Sequence, residues 1–330
     1  MELKFELKKL HLKETFSIAY GNYNHRDVLL IELSHQNCKG YGECVAIDYY
    51  QINLQSFVLK LKEIQTQIES QKIVHPKDFF KFLSGLNLHS FLLSALDCAY
   101  WDLFGKLENK SFLELNNISS KNLVESSITI SIGDIEDQIN KIQKSEWTQF
   151  KVKCKGLNKK DIKKLLQLNE SIALDSNASF TDEDCIWLQE NKVVEKFSYL
   201  EQPRPIDHYK ILKKENFANW MADEDCQNID SLEELIPYYK SINIKLMKCG
   251  GITPALEMIK KARNLNYKIM IGCMTESTIG ISAGCVLTGL VDYVDLDGAN
   301  LISNDYAEGN FVKNGKIILS LKPGLGIDLK

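Results

Sequence analysis

Between residues 128 and 297 the chain repeats one pattern eight times: a short run rich in β-branched and aromatic residues, then a charged stretch with helical spacing. The runs occupy 128–132, 150–153, 172–175, 199–201, 220–223, 242–246, 269–272 and 293–297, and successive starts lie 21 to 27 residues apart. Each interval has room for one helix and two short loops, the size of a βαβ unit. Eight such units predict a closed parallel barrel rather than a six-stranded open sheet. Right-handed crossovers then close it.

The flanks read differently. In residues 1–50, Leu3, Phe5 and Leu7 alternate with charged residues, Val28-Leu-Leu-Ile-Glu-Leu33 follows, and Gly40-Tyr-Gly-Glu43 suggests a turn. Residues 53–115 read as helices, with an apolar stretch over 91–101. Strands followed by helices indicate an α+β lobe. At the far end, Lys316-Ile-Ile-Leu-Ser320 is strand-like and Pro323-Gly-Leu-Gly is a turn. The expected architecture is α/β: a barrel of the (β/α)8 type, written (β/α)7β, over 121–300. An α+β capping domain over 1–120 would be completed by about 301–330.

Composition narrows the function. A net charge of −4, with 44 acidic residues interspersed among 40 Lys and Arg, offers no concentrated basic face for nucleic acid. Nine scattered cysteines without a C-x-x-C pair suit neither a zinc knuckle nor a disulfide framework and point to a reducing cytoplasm. The N-terminus alternates as a strand does, and no apolar run approaches the roughly 20 residues that span a bilayer. A cytoplasmic protein without a membrane partner is expected.

Active sites of such barrels gather at the C-terminal ends of the strands. Those ends read Lys151-Val-Lys153, Asp175-Ser-Asn177, Glu201-Gln-Pro203, Asp223-Glu-Asp225, Lys245-Leu-Met-Lys248 and Asp295-Leu-Asp297. A lone Asp at such a junction is most often a helix N-cap. For the helix after Asp175, however, Thr181-Asp-Glu-Asp184 is the better cap. Lys-Val-Lys alone would suit a solvated edge strand. In a barrel strand, residues two apart share a face, so Lys151 and Lys153 point inward together and require anionic partners. Three carboxylates on adjacent ends with no histidine beside them form an all-oxygen site for a hard cation, Mg²⁺ above all. Lysines on both flanks suggest bases, with pKa values lowered by burial and neighbouring cations, that remove a proton α to a carboxylate.

These K-x-K, Asp, Glu-Gln-Pro, Ala-Asp-Glu and K-x-x-K-x-G-G signatures stand in the order found in the enolase superfamily, and the chain resembles its muconate-lactonizing subgroup from Gly40-Tyr-Gly-Glu43 to Lys322-Pro-Gly-Leu-Gly-Ile327. The resemblance implies Asp175, Glu201 and Asp223 as Mg²⁺ ligands. Lys153 and Lys245 would be acid/bases on opposite faces of the substrate, and Lys151 the neighbour that depresses the pKa of Lys153. Asp295-Leu-Asp297 resembles the Asp-x-Asp motif with which dipeptide epimerases grip an α-ammonium, and Thr129, Met274 and Arg26 would complete the substrate site. That branch implies an isomerase that epimerises L-Ala-D/L-Glu or a related peptidoglycan dipeptide. On the same scaffold, o-succinylbenzoate synthase and muconate cycloisomerase chemistry are the alternatives. In one respect the sequence departs from glutamate-specific relatives, which carry an arginine soon after the first strand. Its place falls near Tyr20 and Gly21, and the cations of the loop are His25 and Arg26. A small-molecule dipeptide is the expected partner, and self-association is left open.

Overall fold

The computed structural model describes residues 1–121 and 123–330. Three antiparallel strands open the chain: β1 (Glu2–Ile18), β2 (Gly21–His35) and β3 (Cys38–Val45). Helices α1 (Leu54–Glu69), α2 (Pro76–Ser84), α3 (Ser90–Leu107) and α4 (Phe112–Asn116) follow. Asn53 caps α1 by accepting from the N–H groups of Gln55 and Ser56, and Pro76 opens α2 where no amide donor is needed. The apolar stretch is α3, buried almost all round because it packs on the cap sheet on one side and on barrel helices on the other. That packing corrects the turn expected at Gly40-Tyr-Gly-Glu43, which lies inside β3. A Cβ on Gly40 would stand 2.2 Å from the Ala99 carbonyl, and one on Gly42 2.0 Å from that of Ala95. These glycines admit the α3 backbone. The turn itself lies upstream, around Gln36 at φ +52°.

The eight expected runs become β4 (Ile128–Ile130), β5 (Gln149–Lys153), β6 (Ser171–Asp175), β7 (Leu200–Glu201), β8 (Trp220–Ala222), β9 (Ser241–Lys245), β10 (Lys268–Gly272) and β11 (Tyr293–Asp295). They form one parallel sheet in sequential order, and a bridge between Ser126 and Val294 brings its two edges together. Between them run α5 (Ile135–Gln143), α6 (Lys159–Leu165), α7 (Asp182–Glu190), α8 (Ser231–Glu234), α9 (Leu246–Cys249), α10 (Ile252–Asn264) and α11 (Thr278–Cys285). Thr181 caps α7 in a full capping box, which frees Asp175 from that duty. The β7–β8 interval is an exception to one helix per interval, holding only a 3-10 turn at Tyr209–Ile211. Pro203 and Pro205 lack amide donors and disfavour helix in the residues before them.

The barrel is packed, not hollow. Ala173, Tyr199, Met221 and Met270 point inward and plug it below the polar mouth, while Val152, Leu174, Ile244 and Ile271 face the outer helices. The C-terminal segment forms two short ladders, β12 (Ala307–Glu308) with β15 (Asp328–Leu329), and β13 (Phe311–Lys313) with β14 (Lys316–Ile318). It reaches back to α3, where Leu325 N–H donates to Asp102 Oδ1 at 2.8 Å and Lys106 Nζ donates to the Ile327 carbonyl. It also touches the barrel, since Asn310 N–H donates to Ser282 Oγ on α11. Among the described residues no helix is long and apolar enough to cross a membrane.

Two buried carboxylates of the lobe dock it onto barrel helix ends. Glu43 accepts from Ser277 N–H and Oγ at the start of α11, and Asp97 accepts from Thr253 N–H and Oγ1 at the start of α10. Gly251 precedes α10 at φ +124°, and a Cβ there would lie 2.5 Å from Asp97 Oδ2. Gly251→Ala is therefore expected to lower unfolding free energy by about 3 kcal/mol. Gly133→Ala, whose Cβ would meet nothing within 4 Å, should change it by less than about 0.5 kcal/mol. Denaturant titration of both variants checks the difference.

Candidate active site

Parallel register sets the depth of each charged side chain in the mouth. Lys153 pairs laterally with Asp175, and Asp175 with Glu201, so these three stand at one level. Lys245, Gly272 and Asp295 share another. Asp223 follows the last residue of β8. Lys151, Lys153, Asp175, Glu201, Asp223 and Asp295 are all buried. The two lysines of β5 point inward and Val152 outward, as the two-residue period requires.

The ammonium groups lie among the carboxylates. Lys151 Nζ donates to Asp295 Oδ2 and stands 3.4 Å from Glu201 Oε2 and 3.8 Å from Asp175 Oδ2. Lys153 Nζ donates to Asp175 Oδ2 and to Asn177 Oδ1. Lys245 Nζ donates to Asp223 Oδ2 at 2.7 Å, and Lys248 holds Oδ1 of the same carboxylate. For Lys151 and Lys245 the pKa direction is opposite to a lowering by burial and neighbouring cations. Burial alone would lower Lys151, but Asp295, Glu201 and Asp175 together hold it well above the usual lysine range. Lys245 is likewise raised, because Asp223 and Glu201 outweigh its burial. Asp223, despite burial, is held well below the usual carboxylate range by Lys245 and Lys248.

Six buried carboxylates, Asp175, Glu201, Asp223, Glu224, Asp295 and Asp297, stand among the ammoniums of Lys151, Lys153, Lys245 and Lys248, with the Arg26 guanidinium lining the same cavity. Burial, then the adjacent carboxylates, push Glu201 and Glu224 upward. Glu201 Oε2 and Glu224 Oε2 are buried and accept no hydrogen bond. Among the described residues no three or more His, Cys, Asp or Glu side chains already converge as a metal cluster, and lysines pair with oxygens of Asp175, Glu201 and Asp223. The donor set nevertheless fits a hard divalent cation: Asp175, Glu201 and Asp223 offer only oxygen, from adjacent strand ends, and Glu201 Oε2 accepts no hydrogen bond.

Several supporting residues are ones that motif reading did not assign. Gln202, in the left-handed region at φ +36°, accepts from the N–H groups of Asp223 and Asp225 on Oε1 and donates to Asp225 Oδ2, which fixes the end of β8 to that of β7. Asn243 donates to Glu201 Oε1 at 2.8 Å. Gly272 leaves it room, since a Cβ there would lie 2.4 Å from Asn243 Oδ1. From the capping lobe, Tyr20 donates to Glu224 Oε1 at 2.8 Å and stacks on Tyr49. The Glu-Gln-Pro signature hinted at the first.

The remaining expected residues line the same cavity: Arg26, Thr129, Met274, Asp295 and Asp297, with Phe16, Ile18 and Ile47 of the lobe. The eighth strand is shorter than the expected run over 293–297, so Asp295 and Asp297 reach the cavity from different elements. β11 ends at Asp295, and Asp297 has already turned to φ −83°, ψ −1° at the start of a 3-10 turn. Asp295 is held by Lys151 and Ser127, and Asp297 accepts from Thr129 N–H at 2.6 Å. Arg26 is buried with its guanidinium 3.7 Å from the Tyr23 ring centre and its Nε unpartnered, and burial lowers its pKa.

A parallel barrel with a capping lobe and a mouth of facing lysines and carboxylates defines an enolase-type architecture. Residues 134–330 match the family described as enolase C-terminal domain-like, and the chain belongs to that family. Over 341 aligned residues the chain is 34% identical to an L-Ala-D/L-amino acid epimerase of Flavobacterium johnsoniae, covering 100% of both chains. It is 33% identical to a protein of the same name from Maribacter sp., covering 100% of this chain and 99% of the relative. Its fold is that of a dipeptide epimerase from Cytophaga hutchinsonii solved with Mg and D-Ala-L-Val, at TM-score 0.90 and 21% identity, covering 99% of this chain and 95% of the other.

If Gln202 fixes the end of β8, Gln202→Leu strands two buried amide donors and should cost about 2–4 kcal/mol of stability. Urea denaturation measures this, and a loss below about 1 kcal/mol contradicts the role.

Proposed function

We propose that the chain is a Mg²⁺-dependent dipeptide epimerase that inverts the α-carbon of the C-terminal residue by 1,1-proton transfer. It is an isomerase by its relatives, and L-Ala-D/L-Glu or a related L-Ala dipeptide is the substrate class this reading favours. The carrying observation is that lysines on β5 and β9, four strands apart in a ring of eight, line one cavity together with the Asp223, Asp295 and Asp297 carboxylates.

Asp175, Glu201 and Asp223 would hold the cation. When bound, it would neutralise the charge that builds on the substrate carboxylate as the α-proton leaves, and draw the ligating carboxylates off the lysines. Lys153, in its neutral form, takes the α-proton from one face, and the Lys245 ammonium delivers a proton to the other. One C–H bond breaks and one forms, with inversion, and the roles reverse for the opposite enantiomer. Lys151, kept charged by its carboxylate neighbours, steadies the substrate carboxylate. Asp297 meets the α-ammonium, while Asp295 serves chiefly as counter-ion to Lys151. On the capping side, Tyr20, Tyr49 and Tyr50 present an aromatic wall and Arg26 brings a cation.

Lys153→Ala and Lys245→Ala should each abolish epimerisation yet retain α-proton exchange with D₂O for one stereoisomer, in opposite senses. Proton NMR of each isomer reads this, and equal residual exchange of both isomers sinks the two-base reading. Chelation should abolish activity and added Mg²⁺ restore it.

The amino-end assignment is tested separately. Asp297→Asn should raise KM sharply, by about 2–5 kcal/mol of lost binding, with Mg²⁺ affinity intact. N-acetylation of the dipeptide should be comparably harmful to the wild-type enzyme. Turnover of N-acetyl dipeptides at the free-dipeptide rate would remove the ammonium site and favour the succinylbenzoate-type alternative.

A further inference from the structure

The sixth barrel strand ends Lys245-Leu-Met-Lys248-Cys-Gly-Gly251, and proton transfer uses only the first of its lysines. β9 stops at Lys245 and the chain coils at once into α9, so that two lysines three residues apart reach the same carboxylate. Gly250 and Gly251, at φ +100° and +124°, end that coil, and both their N–H groups donate to the Leu246 carbonyl. The Lys248 side chain has no exposure at all.

Its ammonium has three donors, and all three are used. One goes to Asp223 Oδ1 at 2.7 Å, one to the main-chain carbonyl of Asp223, and one to the main-chain carbonyl of Asn243 at 3.2 Å. No donor is left for a substrate, so Lys248 is not an acid/base in the reaction. What it grips is the backbone and one carboxylate oxygen of Asp223, together with the strand that carries Lys245. The other oxygen, Oδ2, faces Lys245, which lines the cavity.

We infer that Lys248 is a positioning residue for Asp223: it locks the carboxylate's rotation and its distance from β9, so that Oδ2 is the oxygen presented for ligation. This rests on the reading of Asp223 as a cation ligand. Two effects of Lys248 oppose each other. Its positive charge repels a nearby divalent cation, so mere charge removal would tighten binding. Its three hydrogen bonds hold the ligand in place, and loss of such an outer hydrogen-bond partner typically weakens metal binding by about 10–100-fold. The sign of the change therefore separates the two roles.

The test is calorimetric titration of the full-length protein with Mg²⁺ or Mn²⁺ in the absence of any dipeptide. Lys248→Met is expected to weaken binding about tenfold or more. Lys248→Gln, which keeps two N–H donors but no charge, should fall between Met and wild type. Circular dichroism and thermal unfolding without metal report whether each variant is folded, and if the Met variant is not, the Gln variant against wild type decides. Affinity unchanged or increased in the folded variants overturns the inference while leaving the functional reading standing. A wild-type protein that binds neither cation overturns both.

Discussion

Charge compensation in the barrel mouth governs the rest of the structure. Six carboxylates and four ammoniums taken out of water carry large desolvation costs, repaid only where opposite charges meet at hydrogen-bond distance and spare lone pairs are satisfied. The six acids come from four strand ends, those of β6, β7, β8 and β11 or the residues just after them, so no single segment can make the required geometry alone. The barrel therefore has to place its strand ends accurately, and much of its apparent architecture serves that end. An apolar plug of Ala173, Tyr199, Met221 and Met270 supports the floor. Above it, Gln202 ties β7 to the end of β8, Lys248 ties the residues after β9 to the same end, and Asn243 reaches from β9 to Glu201 on β7. Gly272 is small because Asn243 must pass.

The capping lobe is subject to the same logic. It does not merely rest on the barrel: Glu43 and Asp97 are buried acids whose hydrogen bonds come from the starts of barrel helices. Helix α3 serves two cores at once: Gly40 and Gly42 in the sheet let its backbone come close, and Gly251 on the barrel side makes room for its Asp97 side chain. That close docking brings Tyr20 and Tyr49 over the mouth, where Tyr20 reaches Glu224. Lobe and barrel thus enclose one cavity between them.

Much of this was legible in the sequence because it rests on local periodicities. The pitch of the apolar runs located all eight barrel strands, and the two-residue period put Lys151 and Lys153 on one face. What escaped is what depends on tertiary approach. Gly40 and Gly42 look like turn residues until a helix is known to lie on them. Asp295 and Asp297 look like a strand pair until the chain is seen to leave the strand at Asp295. The β7–β8 interval is long enough for a helix, and only its prolines argued otherwise. The lysine pKa directions escaped for a related reason: sequence gives the number of neighbouring charges but not which lie nearest, and here the carboxylates do.

The seam between β4 and β11 ties the site to the order in which the chain is made. Lys151 and its partner Asp295 are 144 residues apart, and the bridge from Ser126 to Val294 closes the ring at the same place. During synthesis the first four barrel strands emerge long before the last, so Lys151 has no Asp295 to pair with while they do. A half-barrel burying that lysine beside Asp175 and Glu201 alone would leave the sheet edge open and the charges incompletely matched. Closure of the ring and completion of the Lys151 pair are then a single late event, governed by a contact of high sequence separation. Until it happens, the exposed edges of β4 and of the growing sheet are the surfaces through which nascent chains would associate. Chaperone dependence and yield in expression would then respond to the residues of this seam more than to those of the deeper core.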